Sequence, residues 1–247
     1  MKYIDKTGIP IPTVLTTEGV AETTKNEAAY IANPNCEFTF KSRIYGHKDV
    51  KDALKIIQKD TCCFCESKVT PVGYGDIEHF RPKGAFQRAK GESLHKPGYF
   101  WLAYDWSNLL FACQVCNSSY KKNLFPLVDE TKRAHGHAFS ISHEEPIIIN
   151  PSMEEPSLHI DFYQEIPYGK TPRGKETIQL IGLDRDQGLN ENRLEKLTIM
   201  KTIENIAILG GNQAAYQFFK NSLVDRINYG EYTLMLKSSF STHLIKP

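Results

Sequence analysis

The sequence predicts an α+β protein whose small β core is stabilised by zinc, with helices before it and a helical lobe after it. Three observations carry this. Two Cys-x-x-Cys pairs, Cys62/Cys65 and Cys113/Cys116, stand far apart in the chain. A short strand-like stretch holding Glu78-His79 lies between them, and helical apolar periodicity marks both flanks. Four soft thiolates in two close pairs suit tetrahedral zinc, with bonds of about 2.3 Å. A tetrathiolate zinc has no open coordination position, so it staples the chain and does not activate water. The 47 residues between Cys65 and Cys113 exceed the usual zinc-ribbon gap of about 15–20, so a sizeable unit is inserted inside the clip.

The elements follow in chain order. Residues 16–31 mix Glu18, Ala21, Glu22, Ala28, Ala29 and Ile31 and read as a helix ended by Asn33-Pro34. Residues 48–59 repeat Val50, Ala53, Leu54 and Ile57 at helical spacing, with Lys and Asp opposite; this helix delivers the chain to the first cysteine pair. Gly73, Gly75, Pro82 and Gly84 punctuate the next stretch, leaving Asp76 to Phe80 as a short strand. Tyr99 to Trp106 is aromatic-rich and reads as a buried strand or hairpin arm. A short helix should begin near Cys116-Asn117 and run through Lys121 and Lys122, stopping before Pro126. Beyond Asp129, Ile147 to Ile149 and Leu158 to Tyr163 are β-like, edged by Pro146, Pro151 and Pro156. From Gly174 the pattern turns helical, broken at Gly210-Gly211, giving a lobe of two or three helices.

Composition is that of an ordinary globular protein. Residues 1–12 contain no apolar run long enough for a signal peptide and no segment approaches a membrane span. A cytoplasmic protein with reduced thiols is the expectation, and the paired cysteines then favour metal over disulfides. Cys36 and Cys63 are left over as small buried hydrophobes. The net charge of +1 hides a local imbalance: His79 to Lys122 carries seven basic residues and two acidic ones, a net +5 around the candidate site. Such a patch suits a polyanion, while the near-neutral remainder gives no long basic track for autonomous binding of nucleic acid. His135, His137 and His143 cluster in a polar loop without nearby thiolates and read as surface residues.

Between and beside the cysteine pairs lie the parts of a phosphodiester-cleaving centre. His79 is the candidate general base, since an imidazole is largely neutral at pH 7. Glu78 and the Asn117 amide oxygen can ligate a hard divalent cation such as Mg²⁺ or Mn²⁺, which would stabilise the leaving oxygen. Asn108 is placed to brace the His79 loop. Arg81, Lys83, Lys121 and Lys122 are the candidate phosphate contacts. On a regular strand Glu78 and His79 point to opposite faces, so both reach one site only where the strand ends or twists, and Pro82 favours an ending.

These residues carry a resemblance. Cys62-x-x-Cys65-Glu66, Ile77-Glu78-His79-Phe80-Arg81-Pro82-Lys83, Trp101 to Leu109, and Cys113-x-x-Cys116-Asn117 with Lys121-Lys122 and Phe125-Pro126 resemble the HNH endonuclease family. More narrowly they resemble the HNH nuclease subunit of Septu-type antiphage systems (PtuB-like), which also occurs beside some retrons. Later blocks, Asn150-Pro151, Glu155-Pro156, His159-Ile160, Lys175 to Ile178 and Ile181-Gly182-Leu183, extend the similarity over most of residues 61–195. The resemblance implies a ββα-metal fold with structural zinc on the four cysteines. His79 would be the base, Glu78 and Asn117 the ligands of a catalytic divalent metal, and Asn108 the brace. The element pattern divides the chain into an N-terminal helical segment (1–60), a nuclease module (61–170) and a C-terminal helical lobe (171–247). The resemblance also implies a nucleic acid substrate, an ABC-type ATPase partner, a retron reverse transcriptase complex in some settings, and a role in phage defence. The common carboxylate of the motif is Asp and its last residue is often His, whereas this chain has Glu78 and Asn117. An RNA-directed nuclease acting on tRNA shares every site residue. A non-catalytic zinc-binding adaptor is the rival from another class, though an adaptor has no need of Glu78, His79 and Asn117 together.

Overall fold

The computed structural model describes residues 1–70 and 73–244; the end of the expected C-terminal lobe, residues 245–247, lies outside them. Helix α1 (Val20–Ala32) is entered through a π-wound turn at Leu15–Gly19 and stops at Asn33, ahead of Pro34. After a single turn, α2 (Ser42–Tyr45), comes α3 (Lys48–Gln58). Its buried stripe is Val50, Leu54 and Gln58, as the periodicity requires, and Lys59 ends it with a left-handed φ of 55°. The chain reverses there and enters the first cysteine pair.

Strand β1 (Asp76–His79) pairs antiparallel with β2 (Leu109–Ala112), with Asp76 opposite Ala112 and His79 opposite Leu109. Two four-residue strands are marginal alone, so the surroundings must hold them. All four β2 residues are buried, and each large apolar side chain among them contributes about 1.5–3 kcal/mol by leaving water. Gln58 adds a polar anchor. Its Nε2 donates to the carbonyls of Phe111 and Thr61 at 2.7 and 2.9 Å, and its Oε1 accepts from Phe111 N at 2.8 Å.

Two strand expectations are corrected. Tyr99 to Trp106 is not a strand: Phe100–Leu102 and Trp106–Asn108 are short 3₁₀ turns, and β2 begins only at Leu109. The Asp105 side chain accepts from Ser107 N and starts the second turn, and the aromatic rings of the segment serve as separate core anchors. Ile147 to Ile149 is likewise irregular, its only ladder-like contact being an isolated bridge between Leu127 and Pro146 next to it. The second run pairs as β3 (Ile160–Tyr163) with β4 (Ile166–Gly169), a hairpin the sequence reading half anticipated.

After β2 the chain makes a π-wound turn, Val115–Lys121, here called the site turn. Helix α4 (Pro172–Ile181) ends against it at Gly182, which takes φ 62°; a Cβ there would lie 2.0 Å from the Tyr120 ring. That position needs glycine both for its backbone and for the close approach. Helices α5 (Glu191–Leu209), α6 (Gln213–Tyr229), α7 (Thr233–Ser239) and α8 (Ser241–Leu244) follow, more than the two or three foreseen. One buried cluster runs from Met1 and Ile4 through Cys62, Phe111 and Ile178 to Phe240, so all three sequence segments share a core.

Gln58→Leu should retain the apolar volume yet leave the buried Phe111 N–H without its acceptor, at a cost of about 1–3 kcal/mol. Urea unfolding should show a lower midpoint with unchanged slope; an unaltered midpoint would remove Gln58 from its anchoring role.

Candidate metal cluster and phosphodiester site

The first cysteine pair sits in a tight knuckle. Cys62 N donates to Ser67 O and Glu66 N to Cys62 O, both at 3.0 Å, while Cys63 N donates to Phe111 O at 2.9 Å and ties the knuckle to β2. The second pair straddles the start of the site turn, where Cys116 N approaches Cys113 Sγ at 3.4 Å. All four sulfurs lie within 4.8 Å of one another, and Cys65 Sγ and Cys113 Sγ are 3.8 Å apart. A tetrahedron with bonds of about 2.3 Å has edges of about 3.8 Å, so the donor set fits zinc. Among the described residues this is the one group of His, Cys, Asp or Glu close enough to hold a metal; the histidines near residue 140 form none. Cys63 is buried as expected, whereas Cys36 is half exposed.

Glu66, in the knuckle, is itself buried. It accepts from the Met1 ammonium at 2.7 Å and from Thr233 N at 2.7 Å. Burial is the largest influence and opposes its charge, but the Met1 ammonium, Lys2 and the Thr233 N–H together hold the carboxyl below its ordinary value.

The residues between the pairs converge on one cleft of about 530 Å³, bordered by Glu78, His79, Lys83, Asn117 and Lys122. Strand alternation is obeyed. Asp76 and Glu78 share a face turned to the site turn, where Asn117 Nδ2 donates to Asp76 Oδ2 at 2.9 Å and Lys121 Nζ lies 2.5 Å from Glu78 Oε1. His79 faces the other way, its ring edge-on to Tyr45 at 4.7 Å. Both still border the cleft because β1 ends at His79.

His79 Nε2 lies 2.9 Å from Ala103 O. A carbonyl only accepts, so Nε2 carries the proton and Nδ1 keeps its lone pair; no described residue bonds to Nδ1. Burial, and then the Lys83 ammonium, push the imidazole well below its ordinary 6.5. Asn108 braces the backbone at Arg81, two residues on, rather than the ring. Its Oδ1 accepts from Arg81 N at 2.8 Å and its Nδ2 donates to the carbonyls of Arg81 and Leu102 at 3.0 and 3.1 Å.

Glu78 is pushed above its ordinary value by burial, with Lys121 only partly offsetting this. Lys121 Nζ pairs with the buried Glu78 Oε1 at 2.5 Å, and the other carboxylate oxygen, Oε2, has no hydrogen-bond donor among the described residues. The Asn117 amide spends its N–H on Asp76 and leaves Oδ1 without a donor among the described residues. Oxygen atoms so placed fit a hard divalent cation.

The four basic candidates separate. Lys121, expected at a phosphate, is fully buried, with Nζ also donating to His79 O at 3.1 Å. Arg81 is turned inward too: its Nε donates to Glu144 Oε2 at 2.8 Å, and its guanidinium lies over Phe80, Tyr99 and Phe125. Lys83 and Lys122 remain on the cleft. The chain turns between Lys121 and Lys122, which takes φ 47° and ψ −120°, and so sends neighbouring lysines in different directions. Sequence reasoning missed Asp76, although its spacing of two from Glu78 puts both on one strand face.

The fold and cluster define a mixed α+β protein with small sheets and a cluster of four cysteines that could hold a metal ion such as zinc. No family model matches the chain and no solved structure matches it. It is 36% identical over 182 residues to Septu protein PtuB of Bacillus mycoides (strain KBAB4), covering 69% of this chain and 61% of that protein. It is 29% identical over 164 residues to Septu protein PtuB of Bacillus thuringiensis, covering 66% and 51%. The chain is PtuB-like, and its matched stretch spans between half and two thirds of the length of these relatives. No described helix is long and apolar enough to cross a membrane.

Elemental analysis should find one zinc per chain. Cys65→Ser or Cys116→Ser should lower that content and destabilise the protein, because a buried thiolate site contributes folding free energy directly; a folded, metal-free protein with four free thiols would exclude the assignment.

A second expectation concerns His79. Nitrogen-15 shifts should show a neutral Nε2–H tautomer persisting below pH 6.5. The unfolded chain takes up a proton there before the folded one does, so this residue makes stability fall as pH drops through that range. An imidazole titrating at its ordinary value would contradict the buried geometry.

Proposed function

We propose that the chain is a metal-dependent HNH-type endonuclease that hydrolyses phosphodiester bonds of nucleic acid, and that it serves as the effector of an antiphage defence complex with an ABC-type ATPase. The observation that carries this is the convergence of Glu78, His79 and Asn117 on one cleft bordered by Lys83 and Lys122. The order β1, β2, site turn supports reading this region as a ββα-metal core, with the π-wound turn in the helix's place.

Each side chain then has a task. His79 Nδ1 accepts the proton of the attacking water, while Nε2–H on Ala103 O fixes the ring and tautomer. Asn108 clamps the backbone at Arg81 and so holds the end of β1. Glu78 and Asn117 would hold the divalent cation, and Asp76 orients the Asn117 amide. When bound, that cation supplies positive charge to the scissile phosphate and leaving oxygen. Lys83 and Lys122 contact flanking phosphates.

The ATPase partnership rests on the family resemblance, with two supporting features. A local +5 patch in a chain of net charge +1 holds few phosphates unaided. The α5–α6 pair also leaves Ile206, Leu209 and Phe218 largely exposed, while Phe219 is buried. That apolar edge is the candidate docking surface.

The test is cleavage of plasmid DNA and total RNA by zinc-loaded protein, with and without Mg²⁺ and with and without the ATPase. His79→Ala should fold, keep its zinc and lose activity by about a hundredfold or more. Undiminished cleavage by that folded variant would end the mechanism.

A further inference from the structure

The site cleft is not closed at its far end. A second cavity, of about 450 Å³, shares Phe40, Gly84 and Asn123 with it and runs on past Phe38 to Lys96. The two form one groove. Glu78 and His79 lie at its floor, only 3% and 6% exposed, so a reacting phosphate must descend to reach them.

The groove wall is built from an aromatic column. Phe100 is buried, Phe38 stacks on it at 4.3 Å and 10°, and Phe40 continues the column at 6.1 Å and 29°. Phe38 and Phe40 are half exposed and line the groove. Lys83 Nζ sits 5.8 Å from the Phe40 ring centre and 4.7 Å from that of Tyr45. Lys122 and Lys96 stand at the two ends. The acidic side chains facing the groove are Glu78 at the floor and Glu37 at the rim, the latter 3.6 Å from Lys96.

We propose that this groove takes an unpaired strand of nucleic acid, one base laid on the exposed end of the phenylalanine column and its phosphates following Lys122, Lys83 and Lys96. The inference rests on the nuclease reading of the site and adds the class of substrate. Aromatic faces beside a basic track are the recognition chemistry of single strands, because every base has a face to stack and a free strand can bend its phosphate inward. A paired base has its faces covered by its neighbours, and a stiff duplex lowers one phosphate into a recess only at a cost in bending. The larger cleft of about 970 Å³ on the other side of the cysteine cluster mixes Lys68, Arg185 and Lys196 with Asp186, Glu195 and Glu231 and offers no such track.

The experiment uses the full chain, zinc-loaded, at low salt without added magnesium. Fluorescence anisotropy would compare labelled single-stranded RNA and DNA of about 12 nucleotides with their blunt duplexes. Single strands should bind about tenfold more tightly than duplexes, and the two single-strand arms show whether the sugar matters. Phe40→Leu, which keeps apolar volume but removes the π face, should weaken single-strand binding about tenfold, by the loss of one stacked base. Lys96→Ala, on the exposed rim, should weaken it severalfold with zinc content and helicity unchanged. Equal or tighter duplex binding, no binding of any probe, or indifference to both substitutions would overturn the groove assignment. Cleavage is scored separately with Mg²⁺. Single-strand binding without cleavage, with the ATPase present as well as absent, would remove the nuclease reading and leave the groove, while cleavage confined to duplex would keep the nuclease and remove the groove.

Discussion

Four sulfurs held within 4.8 Å constrain everything around them. They tie together the knuckle after α3, the end of β2 and the start of the site turn, three places that are distant or only locally related in sequence. Cys113 follows Ala112 of β2 directly, and Cys116 precedes Asn117. The cluster therefore sets how far Asn117 stands from the carboxylates of β1. The same knuckle carries Glu66, which gathers the Met1 ammonium and the first turn of α7 onto it. A staple with no chemistry of its own thus positions residues that have some.

The electrostatics of the site follow from burial. Glu78 is nearly inaccessible, and burial pushes its carboxyl above the ordinary carboxylate range. Lys121, equally buried, supplies the opposing charge. A buried pair of this kind gives little net stability, because both ions lose water. It does offset part of the push that burial gives toward the neutral acid. Lys121 is thus part of the wall of the site, and the exposed lysine beside it is left for solvent and solute.

Much of this was legible in the sequence. The cysteine spacing located the cluster, the amphipathic period of residues 48–59 located α3, and Asp76 to His79 was bounded by its glycines and proline. The aromatic stretch from Tyr99 to Trp106 misled, because enrichment in rings was taken for strand propensity. Yet Tyr99, Phe100, Ala103, Tyr104 and Trp106 are all buried with no alternation, and Asp105-x-Ser107 is a turn signal in its own right. The split between Lys121 and Lys122 was beyond sequence reasoning. It depends on where a π-wound turn ends and on a left-handed φ at a non-glycine residue, neither of which a helical period encodes. Arg81 was misplaced for a different reason: its partner Glu144 lies far along the chain, in a segment with no motif.

The amide of Gln58 has one more consequence. Strand β2 has two hydrogen-bonding edges, and β1 occupies one. On the other, Gln58 and the Cys63 N–H meet the Phe111 N–H and carbonyl as a neighbouring strand would. The sheet thus ends in a side chain. An open edge invites another chain to add to it, by aggregation or by strand exchange. Here that invitation is withdrawn at Phe111, on the β2 side of the sheet.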